Sequence, residues 1–133
     1  MKLLSVGSLF VLACLSGNFG CGSSSDGFGC TANIDNGIVV TVTDARTHAP
    51  IATGAAGTIL DGSYTEMLRP FSMDSSGNVL SLAGAPERAG TYTVRITRVG
   101  YLPFEKQNVV VTRNACHVNT VAVMAELQSI PVP

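Results

Sequence analysis

The chain has no Trp, two Lys and little charge of either sign: Asp, Glu, Lys and Arg make up 13% of its 133 residues. A globular domain usually holds about 25%. That shortage excludes a disordered chain, which would be charge-rich and poor in Val and Ile. With a net charge of -1 and a pI near 6.0, no basic surface is on offer for nucleic acid. No apolar run approaches the ~20 residues needed to span a bilayer as a helix. Apolar spacing of the i, i+3, i+4 kind never lasts three turns, which excludes a helical bundle. What is present is 14 Gly, 6 Pro and many Thr and Val. These suit short strands joined by tight turns. At 13.8 kDa, one small soluble β domain is expected.

The N-terminus carries an address. Lys2 is the only charge before Asp26, and residues 3–13 form an eleven-residue apolar stretch. That length fits the apolar core of a signal peptide. Two cysteines follow, Cys14 and Cys21, the second leading into Gly22-Ser23-Ser24-Ser25. A short apolar run that ends in a small residue and a cysteine resembles a bacterial lipoprotein signal, in which cleavage falls before a cysteine that bears diacylglycerol. Val11-Leu12-Ala13-Cys14 has the preferred small and apolar residues but leaves a short signal. Asn18-Phe19-Gly20-Cys21 departs at Asn18, yet has the usual length and the Gly/Ser tether behind it. Cys21 is taken as the lipidation site, with Cys14 as the alternative and plain secretion as the rival. Residues 1–20 are then a leader, 21–29 a tether and 30–133 the domain. Acyl chains contribute ~0.8 kcal/mol per buried CH₂, and stable attachment takes more than one. The flexible tether has a reach of about 15 Å, which keeps the domain close to the membrane surface. The expected location is the cell envelope, at the outer membrane where the cell has one.

Cys30 and Cys116 bracket the domain. An exported chain meets an oxidising compartment, so this pair is expected to form a disulfide. The rival is a metal site of Cys30, Cys116 and His117, which lacks the closely spaced ligand pairs of structural zinc sites.

From residue 34 onward the period is two. Ile38, Val40 and Val42 alternate with Val39, Thr41 and Thr43, and Tyr92, Val94 and Ile96 with Thr91, Thr93 and Arg95. Strands are predicted near 38–43, 54–60, 63–68, 79–82, 91–97, 108–112 and 116–127. Asp61-Gly62 is read as the centre of a type I′ hairpin turn. Residues 69–78, rich in Pro, Ser, Asp and Gly, are read as a mobile loop. Seven short strands at regular spacing predict an all-β sandwich.

Asp44-x-x-Thr47-x-x-Pro50-Ile51 after a Val-rich strand resembles the first hairpin of carboxypeptidase regulatory-like domains, which share the transthyretin-like (prealbumin-like) sandwich. Gly90-Thr91-Tyr92-x-Val94-x-Ile96 and the later Gly100-Tyr101 pair resemble a second stretch of that family. Cys116-His117-Val118, with a cysteine before the first strand, is similar to its disulfide-bearing bacterial lipoprotein members. The resemblance covers residues 30–127. It implies a seven-stranded Greek-key sandwich with no catalytic residues. One position departs: His48 stands where the family has glycine, at a turn that asks for positive φ.

Two enzyme families use related sandwiches. Hydroxyisourate hydrolases carry a terminal Tyr-Arg-Gly-Ser, whereas this chain reads Ser129-Ile130-Pro131-Val132-Pro133. Intradiol dioxygenases hold iron with two Tyr and two His one residue apart. Here Tyr64, Tyr92, Tyr101, His48 and His117 are present, but the histidines are far apart in sequence. Neither a Gly-x-Ser-x-Gly elbow nor a His-Glu-x-x-His motif occurs. His117 is read as a strand residue beside a half-cystine, Asp35, Asp44, Asp61 and Asp74 as turn acids, and Arg95 and Arg98 as solvent-facing charges. No catalytic residue, metal or cofactor is expected. The expected role is structural or adhesive, with membrane contact through the lipid. The alternative is a small-ligand or peptide-binding module using the 69–78 loop, where Phe71 and Met73 would be the contacts unless they fold back onto the core. A metal-dependent enzyme is the remote third reading.

Overall fold

The computed structural model describes residues 29–131. The described residues form eight strands and no helix: β1 (Asn36–Asp44), β2 (Ala56–Asp61), β3 (Tyr64–Met67), β4 (Arg69–Met73), β5 (Val79–Pro86), β6 (Gly90–Thr97), β7 (Phe104–Val111) and β8 (Val121–Leu127). They form two four-stranded sheets, ordered β4-β5-β1-β8 and β3-β2-β6-β7. β1 pairs antiparallel with β5 and parallel with β8, and every other pairing is antiparallel.

The core lies between the sheets. Ile38, Val40 and Val42 of β1 are fully buried, facing Val94 and Ile96 of β6, while Val39 and Thr41 lie outside it. Alternation over these strands delivers one apolar face to each sheet, as their period of two predicts. Tyr92 is buried in the same core. Its hydroxyl donates to the Arg88 carbonyl at 2.9 Å and accepts from Arg88 Nη1 at 2.7 Å.

The strand count corrects the sequence reading from seven to eight. Residues 69–73 are not part of a loop but the edge strand β4, paired with β5 with register shifts around Ser72. An edge tolerates Pro70 because no neighbour needs its missing N–H. β5 runs on to Pro86 and β7 starts at Phe104, both longer than expected, whereas β8 begins at Val121 and not at 116. At the β2–β3 hairpin the central pair is Gly62-Ser63, because Asp61 pairs with Tyr64. Gly62 has φ 58° and Ser63 is not in the positive region, so the turn has glycine first, as in type II′ rather than I′. His48 does adopt positive φ, at 58°.

Leu68 carries the chain from one sheet to the other and is buried between them. A Cβ on Gly57 of β2 would lie 2.6 Å from its Cδ1, and one on Gly84 of β5 2.6 Å from its Cδ2. Two glycines on facing sheets thus make room for one side chain.

The pairings sort the connections into two ends. Asn36 lies opposite Pro86, and Asp61 reaches Arg88, so the β2–β3 turn and the β5–β6 turn share the end where β1 starts. At the other end Tyr101 donates to Asp44, bringing the β6–β7 loop to the close of β1.

Candidate functional site

At the end where β1 starts, residues 29–35 meet the loop between β7 and β8. Cys30 and Cys116 are disulfide-bonded there across 86 residues of sequence, with Cα atoms 5.2 Å apart. Asn114 shapes the loop: its Oδ1 accepts from the amides of Cys116 and His117, both at 2.8 Å. Such Asx turns are what asparagine supplies best. His117 therefore sits in a bend and not in a strand, which corrects its sequence reading.

Glu87 connects this loop to the segment before β1. It occupies the tight turn after β5 with φ 51°, a left-handed conformation that few non-glycine residues adopt. Its amide donates to the Asp35 carbonyl at 2.9 Å, while its Oε1 accepts from the Asp35 amide at 2.9 Å. The same Oε1 lies 2.7 Å from His117 Nδ1, and His117 Nε2 lies 3.0 Å from Thr31 Oγ1. Arg113 donates to the Glu87 carbonyl at 3.0 Å and stands 3.9 Å from Oε2, which is buried without a hydrogen bond. The Asp35 amide, then His117, hold the Glu87 carboxyl below its ordinary range. Glu87 in turn raises His117.

Donor atoms of Asp35, Glu87 and His117 lie within 4.8 Å of one another. Both nitrogens of His117 and one Glu87 oxygen are already engaged in hydrogen bonds, and the Arg113 guanidinium faces the other oxygen. The arrangement is that of a hydrogen-bonded clasp and not of a ligand set. The rival metal site of Cys30, Cys116 and His117 is replaced by the disulfide.

A second polar cluster lies nearby. Arg88 donates to Asp61 at 2.7 Å and stacks 3.9 Å from the Tyr64 ring centre, a cation–π contact. Tyr64 donates to Glu66, whose other hydrogen bond comes from the Ala85 amide. The bond to Glu66, followed by burial, pushes the Tyr64 hydroxyl up to about 12, so it remains a neutral donor.

The remaining candidates are dispersed. His48 stands 3.8 Å from Glu126 in the turn after β1, at the opposite end from His117. Tyr101 is bound to Asp44, and Tyr64 and Tyr92 to the Arg88 cluster. Asp74 closes its own loop through Ser76 and Asn78. Arg95 is paired with Glu105 across β6 and β7 at 2.7 Å.

Phe71 and Met73 are exposed, at 57% and 58%, on the edge strand β4, with Met67 of β3 exposed beside them in sequence. Ile34, Asn36, Glu66, Arg69, Phe71 and Pro86 line a groove of about 430 Å³ there. Cys14 and Cys21 lie outside the described residues. Among the described residues no helix is long and apolar enough to cross a membrane.

The clasp is the feature that sequence reasoning missed. Its partners are 52 and 30 residues apart, and no local spacing links them. Compared with known proteins, the chain matches no family model and no curated protein.

Proposed function

We propose that the chain is a non-catalytic cell-envelope lipoprotein, anchored through Cys21 and presenting a carboxypeptidase regulatory-like, transthyretin-like Greek-key sandwich with a structural or adhesive role. The observation that carries this reading is the Cys30–Cys116 disulfide. Such a bond suits an oxidising compartment, and that is the destination of a leader of this kind. Its position supports the anchor as well. Cys30 directly follows the tether, so the covalent bridge fastens the chain where it enters the domain.

The test is fractionation of cells that express the full chain. Cys21→Ser is expected to move the protein from the membrane to the soluble fraction, while Cys14→Ser leaves it on the membrane. Membrane retention of Cys21→Ser together with release of Cys14→Ser would transfer the anchor to the alternative cysteine. Retention of both would end the lipoprotein reading.

A second reading is favoured by the exposed apolar side chains of β4. Phe71 and Met73 offer a contact for a peptide or small ligand, and an edge strand can add an extended segment. The Phe71→Ser, Met73→Ser double variant is expected to lose partner pull-down while its melting temperature stays within a few degrees, because both side chains are exposed. Undiminished pull-down would remove β4 from the contact.

A further inference from the structure

We infer that residues 29–35 form a strap held by two locks of different chemistry, a covalent one to the β7–β8 loop at Cys30–Cys116 and an ionic one at Glu87–His117, whose two partners bind Asp35 and Thr31 of the strap. The ionic lock keeps the strap docked when the covalent one is absent, and it slackens as pH rises.

Residues 29–34 are all exposed and belong to no strand, and Ile34 itself is 71% exposed. Apolar burial therefore contributes little to holding this segment. Its attachment comes from the disulfide, from Thr31 against His117, and from Asp35, whose amide and carbonyl are both taken by Glu87. Cys116 and His117 are neighbours on one loop, set in place together by Asn114. The two locks thus close the same joint independently.

The charged groups that face His117 are Glu87, Asp35 and Arg113, the first two favouring its protonation and the last opposing it. Glu87 dominates, at 2.7 Å. Because the folded state raises His117, this contribution is complete at low pH and is lost as pH rises through the raised value. Glu87 is shifted the other way, so its carboxylate survives below the usual carboxylate range. The ionic lock accordingly works from mildly acid to near-neutral pH. Above that, Nδ1–H still donates to Glu87, but without the added strength of charge.

Amide hydrogen exchange on the full chain with Cys30→Ser and Cys116→Ser tests this. The protection factor of the Asp35 amide is expected to fall about fivefold between about pH 6 and about pH 9, as charge assistance is lost. Adding His117→Gln should leave low protection at both values. A strap without protection at either pH, or a pH dependence that persists with His117→Gln, would overturn the inference. Should the serine variant fail to fold, the oxidised full chain decides through an NMR titration of the His117 ring. Its midpoint is expected above the ordinary ~6.5 and to drop in Glu87→Gln. A midpoint that Glu87→Gln leaves unmoved would refute the ionic lock.

Discussion

Asp44 ends β1 and organises the turn that follows it. Its Oδ1 accepts from the amides of Thr47 and Arg46 at 2.8 and 2.9 Å, and its Oδ2 from the Tyr101 hydroxyl at 3.0 Å. The Thr47 amide first, then that of Arg46, holds its carboxyl at about 2. A carboxyl lowered on folding stabilises above its unfolded value near ~3.9, and that contribution fades as pH falls through the folded value. Asp44→Asn should therefore melt lower than wild type at neutral pH, with the gap narrowing between about pH 4 and about pH 2. Melting curves across that range check it, and a gap independent of pH would remove the carboxylate from the turn. Tyr92 offers a second test at this scale. Tyr92→Phe keeps the buried ring but strips the Arg88 carbonyl of its donor, and is expected to cost about 1–2 kcal/mol in denaturant unfolding. No measurable cost would show that the hydroxyl is replaceable by water.

At the scale of the strand, the crossing from β3 to β4 rests on Leu68 seated between Gly57 and Gly84. Gly57→Ala would also bring its Cβ within 3.0 Å of Ile96 Cδ1, leaving Leu68 no free direction in which to retreat. Overpacking of this kind costs about 1–3 kcal/mol. Leu68→Ala should cost about 2–5 kcal/mol by leaving a cavity. The Gly57→Ala, Leu68→Ala pair is expected to lose less than the sum of the two, since the smaller side chain removes the clash. Strict additivity in unfolding measurements would contradict the seating.

The strands that could be read in advance are those whose alternation is set by one buried face. β1 and β6 carry Ile38, Val40, Val42 and Tyr92, Val94, Ile96 at every second position, and each is buried where expected. β4 could not be read that way. Arg69-Pro70-Phe71-Ser72-Met73 has the composition of a turn, its pairing is irregular, and its apolar side chains point to solvent. Asp61-Gly62 marks the hairpin, but the turn centres one residue later, on Gly62-Ser63, because a single positive φ suffices there. The clasp joins Thr31, Asp35, Glu87 and His117 from three distant stretches. Only the fold brings them together, and a Pro-Glu-Arg-Ala-Gly turn does not reveal that its Glu faces a histidine.

For the molecule as a whole, the disulfide joins the entry of the domain to its last loop. Closing 86 residues of sequence restricts the unfolded chain by roughly 4–5 kcal/mol in the entropy model. For a domain of this size, reduction is expected to lower the melting temperature by roughly 15–30 °C. Calorimetry with and without a dithiol reductant measures the shift, and an unchanged melting temperature would make the bridge dispensable. Both locks lie at the end of the sandwich where residues 29–35 lead into β1. In the proposed lipoprotein that end faces the membrane, and the loops around Asp44 and Tyr101 face away.

The most direct test of this account is the intact mass of the full-length product recovered from the membrane fraction, taken before and after reduction. The expected product begins at Cys21, carries diacylglycerol, and gains two hydrogen masses on reduction as Cys30 and Cys116 are released. A water-soluble chain beginning at an unmodified residue, or a mass unchanged by reductant, would contradict it.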